Sequence, residues 1–239
     1  IVPGAVTLNP ELADTSFTLG SCSFATPFLA SAMDAVVDPA FAALMHRIGG
    51  LAVMNLEGIQ TRYSDPTSAL ETIVSASQDT VTNVLQDIYT RPIDESLIQM
   101  RVEQVKSSGS ICAVSVTPQN TKWLAPLAVE AGADVIVVQS TVTTARHISR
   151  SYKGLVLAEL IPLLKGIPLV VGNCVTYDAA LELIETGIDG LLIGVGPGAA
   201  CTTREVTGVG VPQVTATLEC AAARENHYAK TGKYVAIIT

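Results

Sequence analysis

The stretches Glu130-Ala-Gly-Ala-Asp-Val135 and Glu185-Thr-Gly-Ile-Asp-Gly190 each end a helix-like pattern and lead directly into an apolar run. Glycine readily adopts the left-handed conformation in which many helices end. We therefore expect Gly132 and Gly187 to turn the chain from a helix into a strand. The earlier stretch His46-Arg-Ile-Gly-Gly50 has the same arrangement, so the chain is predicted to repeat a unit of one helix and one strand.

Apolar runs alternate with helical patterns along the whole chain. A continuous apolar run is typical of a strand that is covered on both faces of a parallel sheet. The predicted strands are Phe28–Ser31, Leu51–Asn55, Ile111–Val116, Val135–Gln139, Leu169–Gly172, Gly190–Ile193 and Tyr234–Ile238. The predicted helices are Asp38–Arg47, Glu95–Ser107, Thr121–Ala131, Tyr177–Thr186 and Gln213–Lys230. This alternation indicates the α/β class.

The order of these elements favours a (β/α)8 TIM barrel whose last βα unit is absent from this sequence. Residues 1–239 are expected to form this single catalytic domain, in which the first 25 residues make an arm or hairpin that closes the barrel bottom. The long interval between the second and third strands carries a helical pattern rather than a separate domain. An open doubly wound sheet is the alternative, but no glycine-rich dinucleotide fingerprint follows the first strand.

The composition narrows the function classes. Hydrophobic residues make up 49% of the chain and charged residues 15%, so the chain can bury a large core. The net charge of −8 argues against nucleic-acid binding, which needs a basic surface. No signal peptide and no bilayer-length apolar stretch is present, so no membrane association is expected. Five widely spaced cysteines favour a reduced, cytoplasmic protein.

The segment Gly194-Val-Gly-Pro-Gly-Ala-Ala-Cys-Thr-Thr-Arg204 follows the sixth predicted strand. It would lie at the carboxyl ends of the strands, where barrel active sites are found, and its glycines allow a ligand to approach the backbone. With Arg204 nearby, Cys201 is placed to have a lowered pKa and to act as a nucleophile. A tight turn around a buried, inert cysteine is the alternative. The cysteines predicted only to pack are Cys22, Cys112, Cys174 and Cys220.

Gly194–Arg204 closely resembles the catalytic loop of the IMP dehydrogenase and GMP reductase superfamily. Three other segments resemble motifs of that superfamily in the same order, namely Ser31-Ala-Met-Asp34, Gly172-Asn173 and Thr207-Gly-Val-Gly-Val-Pro-Gln213. The resemblance covers nearly the whole chain and implies a (β/α)8 barrel that assembles into homo-tetramers or octamers. The sequence carries no CBS pair. In this respect it resembles the CBS-less, IMP dehydrogenase-related branch of cyanobacteria and actinobacteria.

The resemblance implies a role for each matching residue. Cys201 would attack C2 of the purine ring of IMP and form a covalent adduct, with Thr203 beside the reacting centre. Hydride would leave C2 for NAD⁺, and water would then release XMP. The residues implied to hold the nucleotide are Ser31, Met33, Asn173, Gly198 and Ala199. From the residues alone, Ser31 and Asn173 could instead complete turns, and Met33 could pack in the core.

The cofactor is implied to contact Gln139, Ser140 and Thr141, which end the fourth predicted strand. The superfamily usually has an aspartate at Gln139 and an arginine or lysine at Leu192, so this chain lacks both charges. We interpret the two losses as coupled, because an acid and a base removed together leave no unpaired buried charge. A monovalent cation such as K⁺ is also implied on the backbone carbonyls of Gly196, Gly198 and Cys201.

The resemblance leaves the direction of the reaction open. IMP dehydrogenase activity is ranked first and NADPH-dependent GMP reductase activity second. Cys201-Thr-Thr-Arg204 and Thr207-Gly-Val-Gly210 lean towards reductases, whereas Glu205 leans towards dehydrogenases. The third hypothesis is a nucleotide-binding regulator without turnover, motivated by the lost charges at Gln139 and Leu192. The flap that carries the water-activating arginine of the superfamily is not in this sequence.

Overall fold

The computed structural model describes residue 4, residues 6–146 and residues 154–239. Residues 1–3 and 5 of the predicted N-terminal arm lie outside the described residues. Strands β1 (Phe17–Leu19) and β2 (Cys22–Phe24) form an antiparallel hairpin, which confirms the hairpin expected in this arm. All seven predicted strands form, as β3 (Leu29–Ala30), β4 (Leu51–Asn55), β5 (Ala113–Val116), β6 (Val135–Gln139), β7 (Leu169–Cys174), β8 (Gly190–Ile193) and β9 (Ala236–Ile238).

The five predicted helices also form, within one residue of their expected ends. The helices are α1 (Pro39–Arg47), α2 (Pro66–Ser75), α3 (Val81–Thr90), α4 (Glu95–Ser107), α5 (Thr121–Ala131), α6 (Leu157–Leu160), α7 (Tyr177–Glu185), α8 (Thr203–Thr207) and α9 (Gln213–Thr231). Helices α2 and α3 occupy the long interval after β4, as its helical pattern indicated. None of the helices in the described ranges is long and apolar enough to cross a lipid bilayer.

Strands β3–β9 form one sheet in which each strand is parallel to, and paired with, the next one along the chain. A doubly wound sheet needs a point where the strand order reverses, and the described strands contain none, so that alternative is wrong. The sheet is curled. Its two edge strands, β3 and β9, line one cavity together with the central strand β6, through Leu29, Ile238 and Val137. The carboxyl ends of the strands therefore surround one mouth.

Two apolar cores lie on the two sides of the curled sheet. The inner core consists of Leu19, Phe24, Leu51, Val53, Ala113, Val135, Val137, Val170 and Ala236. The outer core joins the alternate strand residues to the helices, as with Met54, Ile136 and Val171 against Leu124 and Leu183. This alternation is the reason why the strands read as continuous apolar runs, since both faces of each strand are buried.

The β1–β2 hairpin covers the amino ends of the strands. Leu19 is fully buried, and a Cβ atom added to Gly190 would lie 2.8 Å from its Cδ1 atom. Gly190 is the first residue of β8, so the hairpin packs at the end of the sheet opposite to the mouth. A Cβ atom on Gly20 would in turn lie 2.5 Å from the ring of Pro168, which precedes β7.

The repeated Gly-x-Asp stretches have the same structural role at both of their positions. Gly132 and Gly187 have φ angles of 96° and 102°, as the predicted helix ends require. Two residues later, the carboxylate of Asp134 accepts a hydrogen bond of 2.8 Å from the backbone N–H of Cys112, just before β5. Asp189 likewise accepts one of 3.0 Å from Leu169, the first residue of β7. Each aspartate thus binds the start of the neighbouring strand.

Candidate active site

The Gly194–Arg204 loop leaves the carboxyl end of β8 and is held there by β7. The side-chain amide of Asn173 donates a hydrogen bond of 2.9 Å to the carbonyl oxygen of Gly194. The backbone N–H of Gly194 donates one of 3.1 Å to the carbonyl oxygen of Cys174. Gly194 has a φ angle of 125°, and a Cβ atom there would lie 2.5 Å from Oε1 of Gln213. Only glycine suits this position.

The side chain of Arg204 crosses back over the beginning of the loop. Its Nη1 atom donates a hydrogen bond to the carbonyl oxygen of Gly196. The arginine stem lies against two glycines, because a Cβ atom would be 2.6 Å from its Cγ on Gly210 and 3.2 Å from it on Gly196. The N–H of Val211 also donates to the carbonyl oxygen of Val195, at 3.0 Å. The loop is therefore closed on itself.

Cys201 lies in the second half of this loop and is partly exposed. Its Sγ atom is 3.3 Å from the hydroxyl oxygen of Thr203, the first residue of α8. Hydrogen bonds from the hydroxyl and the backbone N–H of Thr203, together with the charge of Arg204, hold the pKa of the Cys201 thiol below its usual value. A lowered pKa increases the thiolate fraction, and the thiolate is the nucleophile. The sulfur is thus accessible and activated.

Each of the other four cysteines is buried or has a raised pKa. Burial raises the pKa of Cys22 and that of Cys112, the latter to about 12. Cys174 and Cys220 are buried in the outer core with their sulfur atoms 3.8 Å apart. The contact with Cys220, together with burial, raises the pKa of Cys174. Among the five cysteines, Cys201 therefore combines exposure with a lowered pKa.

A cavity of about 180 Å³ opens at the mouth of the sheet and brings together three of the predicted site residues. Ser31, Gln139 and Asn173 line it, from the ends of β3, β6 and β7. The Oδ1 atom of Asn173 is buried without a hydrogen-bond partner, so it can accept one from a bound ligand.

Gln139 and Leu192 lie in register on either side of Gly172. Gln139 is the strand partner of Gly172, and Gly172 is the strand partner of Leu192. Both side chains line the mouth cavity. The glycine between them leaves no room for a further side chain, since a Cβ atom on Gly172 would lie 2.4 Å from that of Leu192. Gln139 and Leu192, where the superfamily usually has an acid and a base, therefore face the same mouth cavity.

A second cavity, of about 320 Å³, lies beside the first at the ends of β5 and β6. Ser140, the residue after Gln139, lines it together with Thr117, Pro118, Gln119, Val142, Thr143, Thr144 and Leu155. The hydroxyl group of Ser140 is 2.9 Å from that of Thr143. The Oγ1 atom of Thr117 is buried and has no hydrogen-bond partner. Hydroxyl groups beside apolar walls fit a dinucleotide cofactor, which presents ribose and aromatic rings.

Seven of the predicted site residues line neither cavity, namely Met33, Thr141, Gly196, Gly198, Ala199, Cys201 and Thr203. Met33 is 55% exposed, and Thr141, Gly198 and Ala199 are exposed as well. Met33 is therefore not a core residue. The carbonyl oxygen of Gly198 accepts a hydrogen bond of 3.2 Å from the N–H of Cys201. Because the Gly196 oxygen already binds the guanidinium of Arg204, the arrangement does not fit the monovalent cation that the resemblance implies there.

Asp34, which the sequence did not single out, anchors the loop that carries Ser31 and Met33. Its carboxylate accepts hydrogen bonds from the backbone N–H of Ile59 at 3.0 Å and from the Tyr89 hydroxyl at 2.5 Å. Burial and the bond to Asp34 raise the pKa of Tyr89, which keeps the phenol protonated as the donor. Tyr89 lies near the end of α3. The loop after β3 is therefore bound, through Asp34, to a helix 55 residues later in the chain.

Thr117, like Thr143, is another site residue that the sequence analysis missed. Its position directly after the predicted strand Ile111–Val116 could have indicated it, because the ends of parallel strands meet at one edge. Its backbone N–H donates a hydrogen bond of 2.5 Å to the carboxylate of Glu57, which follows β4. Glu57 thus connects the loop after β4 to the second cavity.

Comparison with known proteins agrees with this arrangement. Residues 1–236 match the profile described as the IMP dehydrogenase / GMP reductase domain. The crystal structure of an IMP dehydrogenase/GMP reductase-like protein from Corynebacterium glutamicum is similar, with a TM-score of 0.91 and 33% identity. That match covers 99% of this chain and 63% of the other chain.

Curated relatives show the same family at similar identity. An uncharacterized oxidoreductase of Mycobacterium tuberculosis is 34% identical over 245 residues, which cover 100% of this chain and 65% of the relative. An inosine-5'-monophosphate dehydrogenase of Cryptosporidium parvum is 31% identical over 238 residues, covering 92% of this chain and 54% of the relative. The chain thus spans less than two thirds of the length of these relatives.

Proposed function

The chain belongs to the IMP dehydrogenase / GMP reductase family, and on this premise we propose that it oxidises IMP to XMP with NAD⁺ through a covalent bond to Cys201. The observation that carries the proposal is the thiol of Cys201, which is accessible and has a lowered pKa on a loop at the sheet mouth. Structural cysteines in a core have the opposite character.

The proposed first step is the attack of the Cys201 thiolate on C2 of the hypoxanthine ring. Hydrogen bonds from the hydroxyl and the backbone N–H of Thr203 favour the thiolate by lowering the pKa of Cys201. NAD⁺ would supply the acceptor for the hydride that leaves C2. Water then attacks C2 of the resulting thioimidate, the bond to sulfur breaks, and XMP and the free thiol are released. Asn173 positions the loop throughout, because it binds the Gly194 carbonyl.

The two cavities suggest where the ligands are held. The nucleotide is proposed to bind in the mouth, where Ser31 and the free Oδ1 atom of Asn173 can bind its hydroxyl groups. Met33, Gly198 and Ala199 are proposed to contact it from the exposed loops. The residues proposed to hold NAD⁺ are Gln139, Ser140 and Thr141, with Thr117 and Thr143 from the second cavity.

We further propose that the curled sheet is part of a closed (β/α)8 barrel, and that the protein acts in the cytoplasm as a homo-tetramer or octamer. The edge strands β3 and β9 support the closed barrel. Leu29 of β3 and Ile238 of β9 line one further cavity, which lies between the two strands. That space is what one additional strand between the two edges would fill.

GMP reductase activity is the second candidate. Two segments favour it, Cys201-Thr-Thr-Arg204 at the end of the loop and Thr207-Gly-Val-Gly210 just after it. A GMP reductase of Leishmania donovani is 40% identical over 115 residues, covering 48% of this chain and 23% of the relative. In this direction the thiolate would displace ammonia from C2 of GMP, and NADPH would supply the hydride that gives IMP. A regulator that binds IMP without turnover is the third candidate, since Gln139 and Leu192 are uncharged.

The test uses the full-length protein and its Cys201→Ser variant. IMP and NAD⁺ should give NADH with the wild type, and intact-protein mass spectrometry should find a purine adduct that the variant lacks. NADPH consumption that depends on GMP would instead identify a reductase. Binding of IMP by calorimetry without hydride transfer in either direction would identify the regulator. Full turnover by Cys201→Ser would refute the proposed chemistry.

A further inference from the structure

Arg204 has an unusual set of contacts for an arginine beside an active site. Its guanidinium donates to a backbone carbonyl oxygen, that of Gly196, in the first half of the reactive loop. Within the described ranges, the ion pairs found involve other residues, and no carboxylate lies within ion-pair distance of Arg204. A positive charge is thus bound by the loop backbone and not by an acid.

Backbone carbonyls that converge in a glycine-rich loop are ligands of the kind that a hard monovalent cation takes. A guanidinium satisfies the same oxygens by donating hydrogen bonds, and it stays charged at every physiological pH. Two positive charges on the Gly196 oxygen would repel each other. The oxygen of Gly198 also accepts a hydrogen bond, from the N–H of Cys201.

Two glycines leave room for the stem of the Arg204 side chain. Gly196, with a φ angle of 64°, and Gly210 face the arginine stem from two sides, and a Cβ atom on Gly210 would lie 2.6 Å from its Cγ. Gly196 is buried, so its carbonyl oxygen is removed from bulk water. Arg204 is exposed as a whole residue, but its stem packs against the two glycines and its guanidinium is held by the hydrogen bond to Gly196.

We propose that the Arg204 guanidinium takes the place of a monovalent cation in this loop, so that the order of the loop and the reactivity of Cys201 do not depend on K⁺. The same side chain lies close enough to Cys201 for its charge to favour the thiolate. Arg204 would therefore be a positioning residue that acts through the loop backbone. The inference concerns the free protein and does not require that the substrate be IMP.

The experiment compares the full-length wild type with Arg204→Gln and with the matched control Arg62→Gln. Arg62 also donates to backbone carbonyls, those of Glu57 and Arg91, but outside the reactive loop. Thermal unfolding and the rate of Cys201 alkylation are measured in KCl, NaCl and choline chloride at equal ionic strength. Choline is too large to bind between carbonyl oxygens, so it reports the effect of ionic strength alone.

We expect the wild type to have the same Tm and the same Cys201 alkylation rate in all three salts. Arg204→Gln should slow alkylation of Cys201 at neutral pH by about threefold or more, because it removes the adjacent charge and loosens the loop. Arg62→Gln should leave that rate unchanged. A specific rise in the Tm or alkylation rate of the wild type in KCl would overturn the proposal. So would an Arg204→Gln protein with the alkylation rate of the wild type. Neither outcome depends on whether the protein turns over IMP.

Discussion

Asn173 and Gly194 are joined by a hydrogen bond of 2.9 Å from the side-chain amide to the carbonyl oxygen. This bond connects the end of β7 to the first residue of the loop that carries Cys201. The backbone of Cys174 binds Gly194 as well, so two consecutive residues of one strand fix where the loop of the next strand begins. The position of the reactive sulfur therefore depends on contacts made seven residues earlier.

Gly194→Ala should destabilise the protein, because the left-handed backbone disfavours a side chain and the new Cβ atom would lie 2.5 Å from Gln213. The strain alone costs about 1–2 kcal/mol. A loss of that size corresponds to a fall in Tm of roughly 2–8 °C for a chain of this length. The control is Gly198→Ala, since its nearest neighbour would be 3.7 Å away and its φ angle is not positive. Differential scanning calorimetry should separate the two, and equal Tm values would contradict this account.

Alkylation by iodoacetamide should show that Cys201 titrates below an ordinary cysteine. The thiolate reacts, so the rate rises as pH passes through the pKa, and a lowered pKa moves that rise below the usual value of about 8.5. Thr203→Val removes the hydroxyl donor and should move the rise to higher pH. Cys22, whose pKa is raised, is the internal control and should react only at higher pH. Peptide mass spectrometry measures both rates, and identical profiles for Cys201 and Cys22 would be incompatible with the structure.

Tyr89→Phe should weaken nucleotide binding although Tyr89 lines neither the mouth cavity nor the one beside it. The change deletes one donor to Asp34, which anchors the loop that bears Ser31 and Met33. Loss of a hydrogen bond to a carboxylate costs about 1.5–3 kcal/mol, so KM for the nucleotide should rise about tenfold or more with little change in kcat. Tyr63→Phe is the matched control, because its hydroxyl binds only the carbonyl oxygen of Ile88 in the same helical layer. Equal KM values for both variants would argue against the anchor.

Asp134→Ala should destabilise the protein more than Lys106→Ala, although the two residues form one ion pair of 2.7 Å. Removing the carboxylate also leaves the N–H of Cys112 without its acceptor, at a cost of about 1–3 kcal/mol. Removing the partly exposed lysine loses only a surface ion pair, worth less than about 1 kcal/mol. Urea unfolding of both variants tests this, and a larger loss for Lys106→Ala would show that the carboxylate does not fix the strand.

The strands were predictable from sequence because both of their faces are buried, so that a run such as Val135–Gln139 is apolar throughout. The Gly-x-Asp repeat could be predicted as a helix end, yet the role of Asp134 could not. Its partner, the N–H of Cys112, lies 22 residues away and belongs to a neighbouring strand. The alternation of helix and strand indicated the α/β class but left a doubly wound sheet as an alternative, so the order of the sheet did not follow from the alternation alone.

The loop of Cys201 was predictable because glycines, a cysteine and threonines occur together after a strand. What the sequence did not indicate were contacts between distant segments. Asp34 and Tyr89 are 55 residues apart, and nothing near either residue predicts their hydrogen bond. The contact of Arg204 with Gly196 was missed for another reason, since loop side chains can point in several directions until their neighbours fix them. The second cavity needs Thr117 and Thr143 to be brought together from the segments that follow two different strands, β5 and β6.

The hairpin that carries Leu19 has a consequence for the other end of the molecule. Leu19 fills the base of the space inside the curled sheet, next to the first residue of β8. A chain shortened past this leucine would open the apolar interior of the curled sheet to water from its amino end as well. That water would reach the mouth cavity, whose lining includes Leu19 itself. A deletion at the amino ends of the strands, remote from the Cys201 sulfur, would then hydrate the mouth cavity. The added water would raise the local dielectric constant around any base bound there.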